Sequence, residues 1–513
     1  MVETRTGKSV KNAQVALFFY IINLLLNFIS RKAFIDYLGA EVLGLNTTAI
    51  NLLGFLNLAE LGVGSAISYT LYKPLFEKNE QAVNEIVSVQ GWLYRKIACV
   101  VFIGGCVLMC FFPLFFRKME LPLWYAYGSF GVLLISSLLG YFVSYRQIVL
   151  TADQKDYKVT FNVQGGKFLK VVLQVIAIIF LANGYIYWLA LELLMSILIA
   201  ITLNRTIRKE YPWLRTFPSK GNYLKKKYPE IIIKTKQLFF HRLGSFALSQ
   251  TSPLIIYAYA SLTVVAIYGN YILIIGGATL FINSLFNSVG AGIGNLVAEG
   301  NKDKIKSFYW EYVSVRYWGI SIICFGIYMM SHSFIRLWVG EEYTLSQSPF
   351  ILLIIYTIII GTRVNDLFLS AYGMYQDVWA PIAEAVINIG GSILLGYYWG
   401  LTGIIAGIVI SLFLIVFCWK PYFLFRFGFK DSIGEYIIRI FKYLMLMAIA
   451  FIVSSIFTEK IENIYIESYL DWISETIKYL SLYSILISLL FLIFDSGFRG
   501  FANRMILLLK LKR

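Results

Sequence analysis

Apolar stretches of about 20 residues, each long enough to cross roughly 30 Å of hydrocarbon as a helix, recur from Val15 to Phe494 between short hydrophilic gaps. A water-soluble fold cannot bury so many such runs, which restricts the chain to an all-α polytopic membrane protein. Windows of about 19 residues place roughly fourteen transmembrane helices, at 15–35, 43–72, 91–115, 122–150, 160–182, 185–204, 231–257, 264–295, 313–335, 346–370, 378–398, 401–424, 437–457 and 475–494. Composition agrees: 58% of the 513 residues are hydrophobic and 14% charged, against roughly 45–50% apolar in soluble domains.

A formal charge of +16 raises nucleic acid as a partner, but the cations cluster in the short gaps, where they meet anionic lipid headgroups and set topology. No soluble basic domain is present, so membrane lipids are the expected partner and nucleic acid is not. Of the 45 Lys and Arg, 32 fall in or near the ends of gaps on the side of the N-terminus, seven in or near the opposite gaps, and six are set apart as belonging to the spans. Both termini are therefore expected on the cytoplasmic side. The first run follows Arg5, Lys8 and Lys11 without a small-residue cleavage site and reads as a retained span. Five cysteines, Cys99, Cys106, Cys110, Cys324 and Cys418, lie in apolar segments and are expected as buried thiols. Neither a disulfide framework nor a metal site follows from their spacing.

The chain repeats itself. "GNLVAEGNKDKI" after span eight echoes "YTLYKPLFEKNEQAV" after span two, with Asn301 lying 222 residues after Asn79. Gln154 of "TADQKDY" and Gln376 of "AYGMYQDVW" are again 222 apart, and Gly62 and Gly290 occupy like positions. Spans one to six thus match spans seven to twelve in parallel orientation, a plan on which many transporters are built. The expected domains are a lobe at 1–204, a basic cytoplasmic linker at 205–230, a second lobe at 231–424, and two further helices with a basic tail at 425–513.

Ionisable groups inside the spans need a partner or water. Helical spacing puts Asn57, Glu60, Gly64 and Ser68 on one stripe of span two, and Asn283, Asn287, Gly290 and Gly294 on one of span eight. Span five carries Gln164, Lys167, Lys170 and Gln174; span seven carries Lys234, His241, Arg242, Ser245, Ser249 and Ser252. For the lysines, snorkelling to the interface competes with a functional role. Arg363 and Asp366 are three apart on span ten and can pair, and Glu384 and Asn388 share a face of span eleven. Structural pairing and a transport role both fit such groups. "TGKS" at 6–9 lacks the glycine and strand of a phosphate-binding loop, and neither HExxH nor a serine elbow occurs. No enzymatic activity, catalytic residue, metal or cofactor is expected.

The stretch "FIDYLGAEVLGLNTTAINLLGFLNLAELGVGSAISYTLYKPL" at 34–75, supported by "LTADQKDYKV" at 150–159 and by the repeat, resembles the polysaccharide transporter branch of the multidrug/oligosaccharidyl-lipid/polysaccharide (MOP) exporter superfamily, the Wzx-type flippases. The resemblance implies two six-helix lobes in a V-shaped MATE-like arrangement plus two C-terminal helices. It implies export of an undecaprenyl-diphosphate-linked oligosaccharide, a repeat unit of O-antigen, capsule or exopolysaccharide, across the bacterial cytoplasmic membrane by alternating access. Intramembrane cations commonly line the lumen of such flippases, which nominates Arg31, Lys32, Arg146, Lys167, Lys170, Arg242 and Arg363 for the lipid-linked glycan. Ion coupling is a further expectation, with Glu60, Asp366, Glu384 and His241 as candidates. A glycan polymerase and glycosyltransferases of the same pathway are the expected partners of a monomer. A drug or metabolite exporter of the same architecture would favour an apolar pocket with an acidic centre. A membrane glycan polymerase or ligase would need a large external loop.

Overall fold

The computed structural model describes residues 5–60, 62–286, 290–374, 376–459 and 466–511; they form helices and connections, with no strand among them. Contacts divide the chain into two compact units, Met1–Ala266 and Ile267–Arg513. The first contains α1 (Arg5–Leu38), α2 (Ala40–Leu56), α3 (Val63–Phe76), α4 (Glu80–Cys110), α5 (Trp124–Phe142), α6 (Ile148–Ala152), α7 (Asp156–Phe180), α8 (Gly184–Glu210) and α9 (Pro229–Tyr259). Helix α10 (Leu262–Phe286) crosses the division. The second unit continues with α11 (Gly290–Glu299), α12 (Lys302–Trp338), α13 (Gln347–Gly361), α14 (Asn365–Ala371), α15 (Trp379–Leu412), α16 (Gly434–Glu459), α17 (Tyr469–Phe494) and α18 (Ser496–Leu511). The division lies within α10, and α9 packs against α2 and α3 of the first unit.

Eleven helical segments among the described residues are long and apolar enough to cross a membrane. One of them, Trp379–Phe429, is 51 residues long and doubles back at Gly400, whose φ of 53° and ψ of −133° are not helical. The fold-back is tight. Ser392 Oγ donates to the Ile404 carbonyl at 3.0 Å, and a Cβ at Gly407 would overlap the backbone of Gly391 and Ser392. Span two is not one helix: α2 ends at Leu56, Asn57–Glu60 is a 3₁₀ turn, and Gly62 is left-handed before α3. The expected single stripe of Asn57, Glu60, Gly64 and Ser68 is therefore divided between that turn and α3.

The repeat is written in the backbone. Asn79 and Asn301 both cap the following helix, their side chains accepting from the N–H of Ala82 at 3.0 Å and of Lys304 at 3.1 Å. The residues before them, Lys78 and Gly300, share left-handed φ values of 54° and 74°. Gln154 and Gly373 terminate α6 and α14 with the same pair of turn bonds, Lys155 N–H to Leu150 and Met374 N–H to Leu369 being the longer-range ones. That equivalence is 219 residues, so the structural counterpart of Gln154 is Gly373 and not Gln376. Asn183 and Gly400, both left-handed, give 217.

Large apolar side chains such as Phe76, Leu114, Phe180 and Leu470 are exposed, as a lipid-facing surface requires. The cysteines follow the same logic. Cys324 is buried, but Cys99, Cys106, Cys110 and Cys418 are exposed free thiols, which corrects the expectation that all are buried. The second unit has an aromatic core that includes Tyr309, Phe368, Phe425, Tyr443, Tyr483 and Phe491. Polar bonds tie α17 to α12 within it: Trp318 donates to Ser488 at 2.9 Å and Trp472 to the Met330 carbonyl at 3.0 Å.

Candidate functional site

Each unit encloses a cluster of ionisable side chains at helix breaks or along span faces. In the first, the polar face of α7 meets α1 and α8. Gln164 accepts from Asn23 at 3.2 Å, and the Lys170 ammonium donates to Glu192 of α8 at 2.6 Å. The second oxygen of Glu192 accepts from Gln174 at 3.0 Å, while Gln174 also donates to the Trp188 carbonyl at 3.2 Å. The pair is nearly sealed: the Lys170 and Glu192 side chains are 15% and 8% exposed. Lys167, on the same stripe, is exposed and makes no ion pair among the described residues. It lies about 17 Å along α7 at 1.5 Å per residue, where an ammonium needs water or an anion.

Glu60 sits in the 3₁₀ turn that interrupts span two and accepts a hydrogen bond from the Tyr94 hydroxyl at 2.8 Å. Tyr141 packs edge-on against Tyr94 and donates to Asn57 at 2.9 Å, so two tyrosines and an asparagine converge beside the carboxylate. Arg146 occupies a second break, the 3₁₀ turn after α5, with its guanidinium 3.5 Å from the Tyr145 hydroxyl. Arg31 donates to the Ala266 carbonyl at 3.0 Å. Lys32 forms an ion pair one turn along α1 with Asp36, at 3.0 Å, on an exposed face.

In the second unit the break between α13 and α14 presents Arg363, whose Nε donates to Asp366 at 2.9 Å. Lys420 donates to the other Asp366 oxygen at 2.5 Å. One carboxylate thus holds two cations. Glu384 and Asn388, one turn apart on α15, are both buried, and neither side-chain polar atom of Asn388 has a hydrogen-bond partner among the described residues. By the 217-residue equivalence set at Asn183 and Gly400, Glu384 occupies the position that Lys167 holds in the first unit. The two halves thus carry charges of opposite sign at this one position.

His241 and Arg242 lie on α9, with side chains outside those described, as do the side chains of Asn283 and Asn287. Sequence reasoning missed Glu192 and Lys420. Glu192 is a lone acid inside span six with no periodicity to single it out, and Lys420, near the end of span twelve, was counted with the cations of the basic gaps. Among the described residues no group of three His, Cys, Asp or Glu side chains converges as metal ligands.

No protein-family model matches the chain, and no curated protein matches it. Solved structures do. An inward-facing multidrug resistance MATE family transporter of the MOP superfamily superposes with a TM-score of 0.62 at 15% identity, covering 81% of this chain and 98% of its own. The lipid II flippase MurJ in an inward closed conformation gives 0.62 at 14% identity, covering 93% of this chain and 99% of its own. An outward-facing MATE transporter of the same superfamily gives 0.55 at 14% identity, with 81% and 95% covered. At such identity the likeness is one of fold: this chain is a multi-pass membrane protein with the architecture shared by MATE transporters and the MurJ flippase.

Proposed function

We propose that this chain is a flippase that moves an undecaprenyl-diphosphate-linked oligosaccharide, a repeat unit of O-antigen, capsule or exopolysaccharide, across the bacterial cytoplasmic membrane by alternating access coupled to an ion gradient. The observation that carries the reading is Lys167: an exposed ammonium deep along a span, beside the Lys170–Glu192 pair, is a poor neighbour for acyl chains and a good one for a diphosphate. The fold supports it, since the lipid II flippase superposes over 93% of the chain and the MATE transporters over 81%.

In this reading fourteen helices cross the membrane with both termini in the cytoplasm. Residues 1–204 and 231–424 form six-helix lobes in a V, 205–230 links them, and 425–513 supplies two further helices and a basic tail. Arg31, Lys32, Arg146, Lys167, Lys170, Arg242 and Arg363 are the proposed contacts to the glycan-diphosphate, and Glu60, Asp366, Glu384 and His241 the coupling candidates. The chain acts as a monomer, without catalysis, beside the glycosyltransferases and polymerase of its pathway.

Deleting the gene should leave lipid-linked repeat units facing the cytoplasm and deplete surface glycan, and Lys167→Glu should reproduce this at normal protein abundance. Unaltered surface glycan with no accumulated precursor would refute the assignment. A second reading, export of cationic drugs or metabolites, is favoured by buried Glu384 and by the MATE likeness. Deletion would then sensitise cells to cationic compounds and leave glycan unchanged.

A further inference from the structure

A cleft of about 570 Å³ opens where the helix that leaves Gly400 ends, lined by Tyr422, Arg426, Lys430, Asp431, Ser432 and Ile433. Residues 401–429 would extend roughly 40 Å as a helix, about 10 Å more than the hydrocarbon is thick, so their last turns stand at headgroup depth. The Lys/Arg distribution assigns that end to the cytoplasmic leaflet. Exposed Tyr422 and Phe427 supply the aromatic rim usual at this depth.

Charge in the cleft is unbalanced. Asp431 is engaged by Lys306, and that contact, with the Ser432 N–H at 2.7 Å, holds its carboxyl below the usual range. Glu435 is likewise engaged, by Lys306 and Arg439. Arg426 and Lys430 are exposed and have no acidic partner among the described residues. Lys430 is also left-handed, at φ 57° and ψ 47°, a helix-ending position that favours glycine. The left-handed backbone ends the helix at Lys430 and sets its ammonium beside Arg426 in the cleft lining.

We infer that this cleft binds the phosphate of an anionic phospholipid headgroup in the cytoplasmic leaflet, with Arg426 and Lys430 as its cationic walls. The proposal asks nothing of the transported substrate. Phosphatidylglycerol and phosphatidylcholine share acyl chains and a phosphate but differ in net charge, so they test it directly. The full chain purified in detergent should retain phosphatidylglycerol in native mass spectrometry, and R426A/K430A should lower that occupancy about tenfold. R208A/K209A, which removes two exposed cations of α8, should leave it unchanged. Lys430→Gly relieves the left-handed backbone, so its thermal midpoint should hold or rise while phosphatidylglycerol occupancy falls. Unchanged occupancy in R426A/K430A overturns the inference. So does equal loss of phosphatidylcholine, which would mark an acyl-chain effect, or protection by inorganic phosphate alone equal to that by the lipid, which would mark a soluble-anion site.

Discussion

Lys170 and Glu192 illustrate what a single residue can and cannot announce from sequence. The cation was legible as a polar residue recurring on one face of a span; its partner was not, because one acid in "LALELLM" has no periodicity of its own. Pairing changes what truncation means. Lys170→Ala leaves Glu192 buried with only the Gln174 amide, and breaking such a pair costs about 3–5 kcal/mol. We expect K170A to lower thermal stability in detergent strongly, and K170M/E192L to recover most of it; additive losses would show that the two side chains do not depend on each other. Lys167, unpaired, should behave in the opposite way, with K167A retaining stability and losing export. Glu60 lies between these cases. Tyr94→Phe removes the donor from its carboxylate at a cost of about 1–3 kcal/mol, read as a fall in melting midpoint.

Among the elements, apolar run length made nearly every helix legible, and the breaks inside them were not. Span two reads as one apolar stretch, yet Gly62 turns left-handed and Asn57–Glu60 winds as 3₁₀, because a run of hydrophobic letters carries no record of φ. The opposite holds at Gly400, where the sequence already divides spans 378–398 and 401–424 and the non-helical φ/ψ falls at that point within one helical segment. The fold-back there needs small residues on both arms. Gly391 and Gly407 face each other so closely that Gly407→Ala must displace the Gly391–Ser392 backbone, at about 1–3 kcal/mol. Gly390→Ala, one residue away, meets nothing within 4 Å and should be neutral or stabilising by up to about 1 kcal/mol through helix propensity. Equal effects of the two substitutions, by thermal unfolding in detergent, would refute the close-packed hairpin.

At the scale of the molecule, the repeat was visible in the asparagine caps and only approximately elsewhere. Aligning like letters gave 222 residues at two places and 228 at Gly62 and Gly290, whereas left-handed residues give 222, 219 and 217 along the chain, as short connections in the second half lose residues. Backbone punctuation outlasts side-chain identity because a helix must end at the same place whether Gln154 or Gly373 ends it. A parallel duplication of six-span halves has a topological consequence: residues 217–222 apart lie on the same side of the membrane. Alkaline phosphatase, active only when exported, should therefore be active when fused at Lys118 and at Glu341. It should be inactive at Lys78 and Lys302, at Asp153 and Asp377, and in the basic stretch at Arg215. Fusions after Lys430 and at the C-terminus should also be inactive, since α16 and α17 add two crossings and return the chain to the side of the basic gaps. A phosphatase signal differing between Lys78 and Lys302, or between Asp153 and Asp377, would mean an odd number of crossings separates the halves, and the parallel repeat would fail with it.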